Sequence, residues 1–137
     1  MAVKTRCISL LIGLVIVIGI GSRVFHSGSP FLDKYLGDAL YAVLFYLVLS
    51  LFWPGGKPLY KAGAVMALMT ALEVFQLTQI PFRLSQNPQI GLRILAILLG
   101  TEFHWGDLLA YLFGITTILF ADQFTSGKSI FIKRDEA

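Results

Sequence analysis

The sequence predicts an all-α integral membrane protein: a four-helix bundle of two helical hairpins in parallel repeat, with a short interfacial or re-entrant helix before the last span. Three observations carry this expectation. Of 137 residues, 56% are hydrophobic and only 14% charged, more apolar surface than a water-soluble domain of this size can bury. The apolar residues gather into four runs, each near the ~20 residues that cross a bilayer. The phrase Gly-Asp occurs twice, at Gly37-Asp38 and Gly106-Asp107, each time opening one of those runs.

The first run, residues 7–24, follows Lys4 and Arg6 and has the outline of a secretory signal peptide. It continues past Gly21 through Val24 and Phe25 with no small-x-small site before a polar stretch, so a retained first helix is expected. Cys7 is the single cysteine, which excludes an internal disulfide and leaves it as a small apolar filler. The second run, residues 38–53, is the shortest and borrows the turn holding Gly37 and Asp38. The third covers residues 60–80 and the fourth 105–121. Ser27-Gly28-Ser29-Pro30, Pro54-Gly55-Gly56-Lys57-Pro58 and Ser85-Gln86-Asn87-Pro88 supply turns between them. Residues 90–99 are apolar but too few to cross, and they contain Arg93, which suits an interfacial or re-entrant helix. The chain therefore reads as one membrane domain, residues 1–137.

Basic residues set the expected orientation. With a cytoplasmic N-terminus, the inner side carries Lys4, Arg6, Lys57, Lys61, Lys128, Lys133 and Arg134, and the outer side Arg23, Lys34, Arg83 and Arg93. Both termini are then cytoplasmic, and the two Gly-Asp phrases share the outer face. Two readings of Asp38 and Asp107 stand at this point. Each is a helix N-cap, favoured by unpaired amides and the helix dipole by roughly 0.3–1 kcal/mol. Alternatively, with Arg23 and a second loop arginine, Arg83 or Arg93, they form one polar rim where the halves of a repeat meet.

The third run adds Glu73, with Gln76 one turn on and Met66 and Met69 on the same face. A carboxylate inside a span costs at least ~2.5 kcal/mol, so it should face the bundle interior and find a partner. That partner makes it either interhelical glue or part of a site. With Ile80 as the outer boundary, Glu73 lies about 10 Å below it at 1.5 Å per residue. Asp107, Tyr111 and Gly114 share one face of the last run, and Tyr41 stands one turn from Asp38. Both tyrosines belong to the aromatic belt unless they point inward.

Several classes are set aside. No basic stripe interleaves with aromatics, so nucleic acid is not an expected partner. No nucleophile elbow, phosphate loop or H-E-x-x-H phrase occurs, so a non-enzyme is favoured and no cofactor is expected. His26, Glu102, His104 and Asp107 could supply metal ligands on paper. They follow no ligand spacing, and no metal site is expected.

The order Glu73-x-x-Gln76, a loop arginine, then Asp107-x-x-x-Tyr111-x-x-Gly114 resembles the VanZ-like group of small bacterial membrane proteins, with Tyr111 where that group carries Asn. Arg23 and residues 35–42, 73–76, 92–93 and 99–114 are together similar to bacterial proteins of domain-of-unknown-function family 2809. The resemblance implies a four-span protein of the bacterial inner (plasma) membrane with no established activity, and it favours Arg93 over Arg83 as the second arginine. VanZ-like proteins are linked to glycopeptide tolerance, the one clue to substrate class. Two expectations follow. Arg23, Asp38, Tyr41, Glu73, Gln76, Arg93, Asp107 and Tyr111 bind membrane lipid or a cell-envelope precursor at an outer-face cluster, the arginines suiting phosphate. Or the same groups close on one another and stabilise a scaffold or accessory subunit. Proton or ion transport through Glu73 is a third reading, for which four spans leave little room.

Overall fold

A computed structural model describes residues 2–24 and 28–132; His26 and the side chain of Arg23 lie outside the described residues. Among the described residues six helices follow one another: α1 (Ala2–Val24), α2 (Pro30–Phe52), α3 (Pro58–Gln76), α4 (Ile80–Ser85), α5 (Ile90–Leu99) and α6 (Trp105–Ile132). Among the described residues there is no strand. Four segments are long and apolar enough to span a membrane: Thr5–Ser22, Lys34–Phe52, Pro58–Gln76 and Trp105–Phe124.

Proline explains two of the helix boundaries that differ from the sequence reading. The second helix starts at Pro30, not residue 38, because Ser29 is extended and Pro30 occupies the first turn, where its fixed φ fits and no amide is needed. Asp38 therefore sits two turns inside α2 and is not an N-cap. Asp107 does lie in the first turn of its helix, where the dipole favours a carboxylate. The third helix stops at Gln76, short of residue 80. Were it to continue, Pro81 would lose a backbone bond and press its ring against the Leu77 carbonyl. The chain instead turns through residues 77–79, with Gln79 in the left-handed region at φ 57°, and restarts as α4. Glu73 is thus three residues, about 4.5 Å of helical rise, from the end of α3. It lies closer to the rim than the expected ~10 Å.

The interfacial segment forms a helix over the expected residues and ends at Gly100, whose φ of 75° and ψ of 149° only glycine adopts readily. The last helix is longer than its apolar run, reaching Ile132.

Contacts between elements fix the topology. Lys34 of α2 meets Asp107 of α6, and twelve residues further along α2 Tyr46 meets Asp122. Both helices advance together, so α2 and α6 are parallel neighbours. Glu73 meets Tyr111 while Lys61 meets Asp122, so α3 runs antiparallel to α6. The α2–α6 crossing is close because Gly114 lies against the backbone of Ala39; a Cβ there would overlap the Ala39 carbonyl. Ala42, Tyr46, Val65, Met69, Tyr111 and Ile115 fill the space among the three helices. The first helix packs on α2 from outside, with no buried residue between Thr5 and Ser22. Its Leu10, Leu14, Val17 and Ile20 are exposed, a surface that suits acyl chains and not water.

Candidate functional site

At the end of the bundle where α2 and α6 begin, polar side chains gather beside the C-terminus of α5. That terminus needs partners, since the last four carbonyls of a helix have none within it. Tyr41 donates its hydroxyl to the Leu98 carbonyl at 2.8 Å, and Gln76 donates Nε2 to the Leu99 carbonyl at 3.0 Å. Two side chains from the spanning helices thus hold the short helix in place. Gly100 leaves room for this, because a Cβ would strike the Gln76 amide.

Glu73 is 1% exposed. Its Oε1 accepts a 2.7 Å hydrogen bond from the Tyr111 hydroxyl. The His104 amide approaches the same carboxyl but closes no hydrogen bond on Oε2. Asp107, 5% exposed, pairs through Oδ1 with the Lys34 ammonium at 3.1 Å. This is an ion pair whose geometry does not meet a hydrogen bond. The Lys34 side chain is 39% exposed, so the pair spans the boundary between interior and surface. His104 stands 4.0 Å from both Glu102 and Asp107. Among the described residues, no group of three His, Cys, Asp or Glu is placed to hold a metal ion.

These groups surround two adjoining cavities. The first, a chamber of about 690 Å³, is walled by Lys34, Asp38, Gln76, Glu102, His104, Asp107 and Tyr111, among others. The second is a groove of about 340 Å³ between α1, α2 and α5, lined mainly by apolar residues such as Val15, Ile20, Leu44, Leu72 and Leu98. Asp38, Gln76, Ile97, Gly100 and Tyr111 line both. The polar chamber and the apolar groove therefore share a wall of five residues.

Of the residues singled out from sequence, Asp38, Gln76 and Tyr111 line both cavities, Asp107 lines the chamber and Tyr41 the groove. Glu73 stands behind Tyr111 and fixes its hydroxyl without lining either cavity. Arg93 is exposed on α5 and lines neither. The cation that faces the aspartates is Lys34, which the sequence reading had counted only as an outer-side charge. Its spacing offered a signal: Lys34 precedes Asp38 by four residues, one helical turn.

A second polar cluster occupies the other end of the bundle, and the sequence reading missed it. Lys61, 2% exposed, donates to Asp122 Oδ2 at 2.8 Å and to Ser50 Oγ at 3.1 Å. Its Nζ also lies 5.1 Å from the centre of the Tyr46 ring, within cation–π range. Tyr46 donates to the same Asp122 oxygen at 2.6 Å. The pattern was present in the sequence: Lys61, Val65, Met69 and Glu73 recur every four residues, which places Lys61 on the inward face of Glu73.

A helical bundle with four helices long and apolar enough to span a membrane, and with a polar chamber beside an apolar groove, defines a small membrane protein. The chain belongs to the family described as protein of unknown function (DUF2809), whose model matches residues 27–115. That stretch holds every chamber-lining residue named above. Neither curated proteins nor solved structures give a match.

Proposed function

We propose that this protein binds a membrane amphiphile, taking the headgroup of a lipid or cell-envelope precursor in the chamber and its chain in the groove. The observation that carries the reading is the shared wall: Asp38, Gln76, Ile97, Gly100 and Tyr111 face a polar cavity on one side and an apolar one on the other. An amphiphile matches that division, whereas a soluble solute would leave the groove unfilled. The positive-inside reading puts the chamber at the outer leaflet of the inner membrane.

Filling the groove provides the test. Gly19 lines it, and a Cβ at Gly19 meets nothing within 4 Å. Gly19→Phe should therefore fold and occlude the groove, lowering lipid retained through delipidation. Gly13→Phe, on the same helix and also unobstructed but off the groove, should leave it unchanged. Equal lipid content in both variants refutes the reading. The Lys61 cluster favours a second function for its own end of the bundle. Every proton of the Lys61 ammonium has a neighbour to meet there, as expected of a scaffold joint.

A further inference from the structure

Resting on the amphiphile-binding reading, we propose that the headgroup taken by the chamber carries a primary ammonium. The chamber wall is rich in acceptors and poor in donors. Asp38, Glu102 and Asp107 contribute carboxyls, against Lys34, His104, the Thr101 hydroxyl and a Ser22 hydroxyl already donating to the Gly19 carbonyl. Tyr111 donates its proton to Glu73, so its oxygen offers only lone pairs to the chamber. Gln76 is 6% exposed and lines both cavities, and with its amide nitrogen committed to Leu99, its Oε1 is buried without a partner. A buried acceptor in that state calls for a donor. The C-terminal end of α5, the negative end of its dipole, also lies at the chamber through Ile97 and Gly100. An ammonium supplies both the charge and the three protons that these groups lack. In a zwitterionic headgroup, Lys34 at the mouth is, among the described residues, the cation placed to meet the accompanying phosphate. Of the two arginines expected from sequence to meet phosphate, Arg93 lines neither cavity, and the side chain of Arg23 lies outside the described residues.

Native mass spectrometry of the full chain, released from micelles holding equal amounts of four lipids with identical acyl chains, tests this. The lipids are phosphatidylethanolamine, phosphatidylcholine, phosphatidylglycerol and a diglucosyl diacylglycerol. The ethanolamine adduct should exceed the other three by about tenfold, the weight of one charge-assisted hydrogen bond. Asp38→Asn should lower the ethanolamine adduct and raise the glycerol adduct. Glu102→Gln, at an exposed position where folding is not at stake, should shift both in the same directions by less. A loss of fold cannot raise one adduct while lowering another. Equal ethanolamine and choline adducts, or a dominant glycerol or glucosyl adduct, overturn the ammonium proposal while leaving amphiphile binding intact. Absence of any lipid adduct overturns both.

Discussion

Neutralising Asp122 should damage this protein more than removing Asp122 and Lys61 together. Lys61 is buried at 2.8 Å from Asp122, in a position where its ammonium has exchanged water for Asp122, Ser50 and the Tyr46 ring. Asp122→Asn keeps the shape but leaves that ammonium without a counter-charge. Breaking one side of a buried ion pair costs ~3–5 kcal/mol. The Asp122 side chain is 12% exposed, near the end of the candidate span at Phe124, so solvent relief places the loss near ~3 kcal/mol. Lys61→Met leaves Asp122 with the Tyr46 hydroxyl still donating to it, for a loss of ~2 kcal/mol. The double variant Lys61→Met/Asp122→Asn buries no ion, keeps an acceptor for the Tyr46 hydroxyl and should lose ~1 kcal/mol or less. The coupling between the two sites is then about 4 kcal/mol. Unfolding in mixed micelles, followed by the fluorescence of Trp53 and Trp105, measures all three variants. A double variant as unstable as the two singles added together refutes the argument, as does an Asp122→Asn variant within ~0.5 kcal/mol of the parent.

Other consequences follow from the same geometry. Gly114→Val should force α6 away from Ala39 and cost ~1–3 kcal/mol in the same unfolding assay, as overpacking does; a parent-like midpoint would mean that the helices do not touch there. Tyr111→Phe removes the donor to buried Glu73 and should cost ~1–3 kcal/mol, whereas Glu73→Gln keeps an acceptor for Tyr111 and should cost less. The reverse order would show that the Glu73–Tyr111 hydrogen bond is not what holds this end. Gln79→Gly relaxes a left-handed residue and should stabilise by up to ~1 kcal/mol, read as a raised melting temperature. Arg93→Ala should leave retained lipid unchanged, and a clear loss would return Arg93 to the site.

The spans were legible because periodic apolar runs and their bounding turns are local signals, and α5 was located over its full length for that reason. What was not legible depended on partners distant in sequence. Asp38 looked like a cap because the apolar run starts beside it, yet Pro30 starts the helix earlier, and Asp33 and Lys34 do not interrupt it. Lys61 was counted with the basic residues of the inner side, because a lysine near the start of a span normally reaches water. It turns inward only because α6 brings Asp122 opposite, 61 residues away. Lys61 therefore does not bear on orientation: its charge is paired inside the bundle, leaving Lys57 as the basic residue exposed at that turn.

The two ends of the bundle differ in how their charges are met, and the difference bears on function. At the Lys61 end, cation, anion, hydroxyl and aromatic face answer one another across α2, α3 and α6, and truncating one member strands the rest. At the Lys34 end, the ion pair sits at the mouth of a chamber, while the deeper Gln76 Oε1 has no donor. An acceptor kept buried and unanswered works against stability, and a bundle that needed only to stay folded could replace Gln76 with an apolar residue and lose nothing but its hold on Leu99. The Gly-Asp phrase at the start of α6 serves this end twice over. Gly106 lets the helix close against Tyr35, where a Cβ would strike the ring, and Asp107 in the next position turns its carboxyl to the chamber. The polarity of the rim is thus built into the helix start itself.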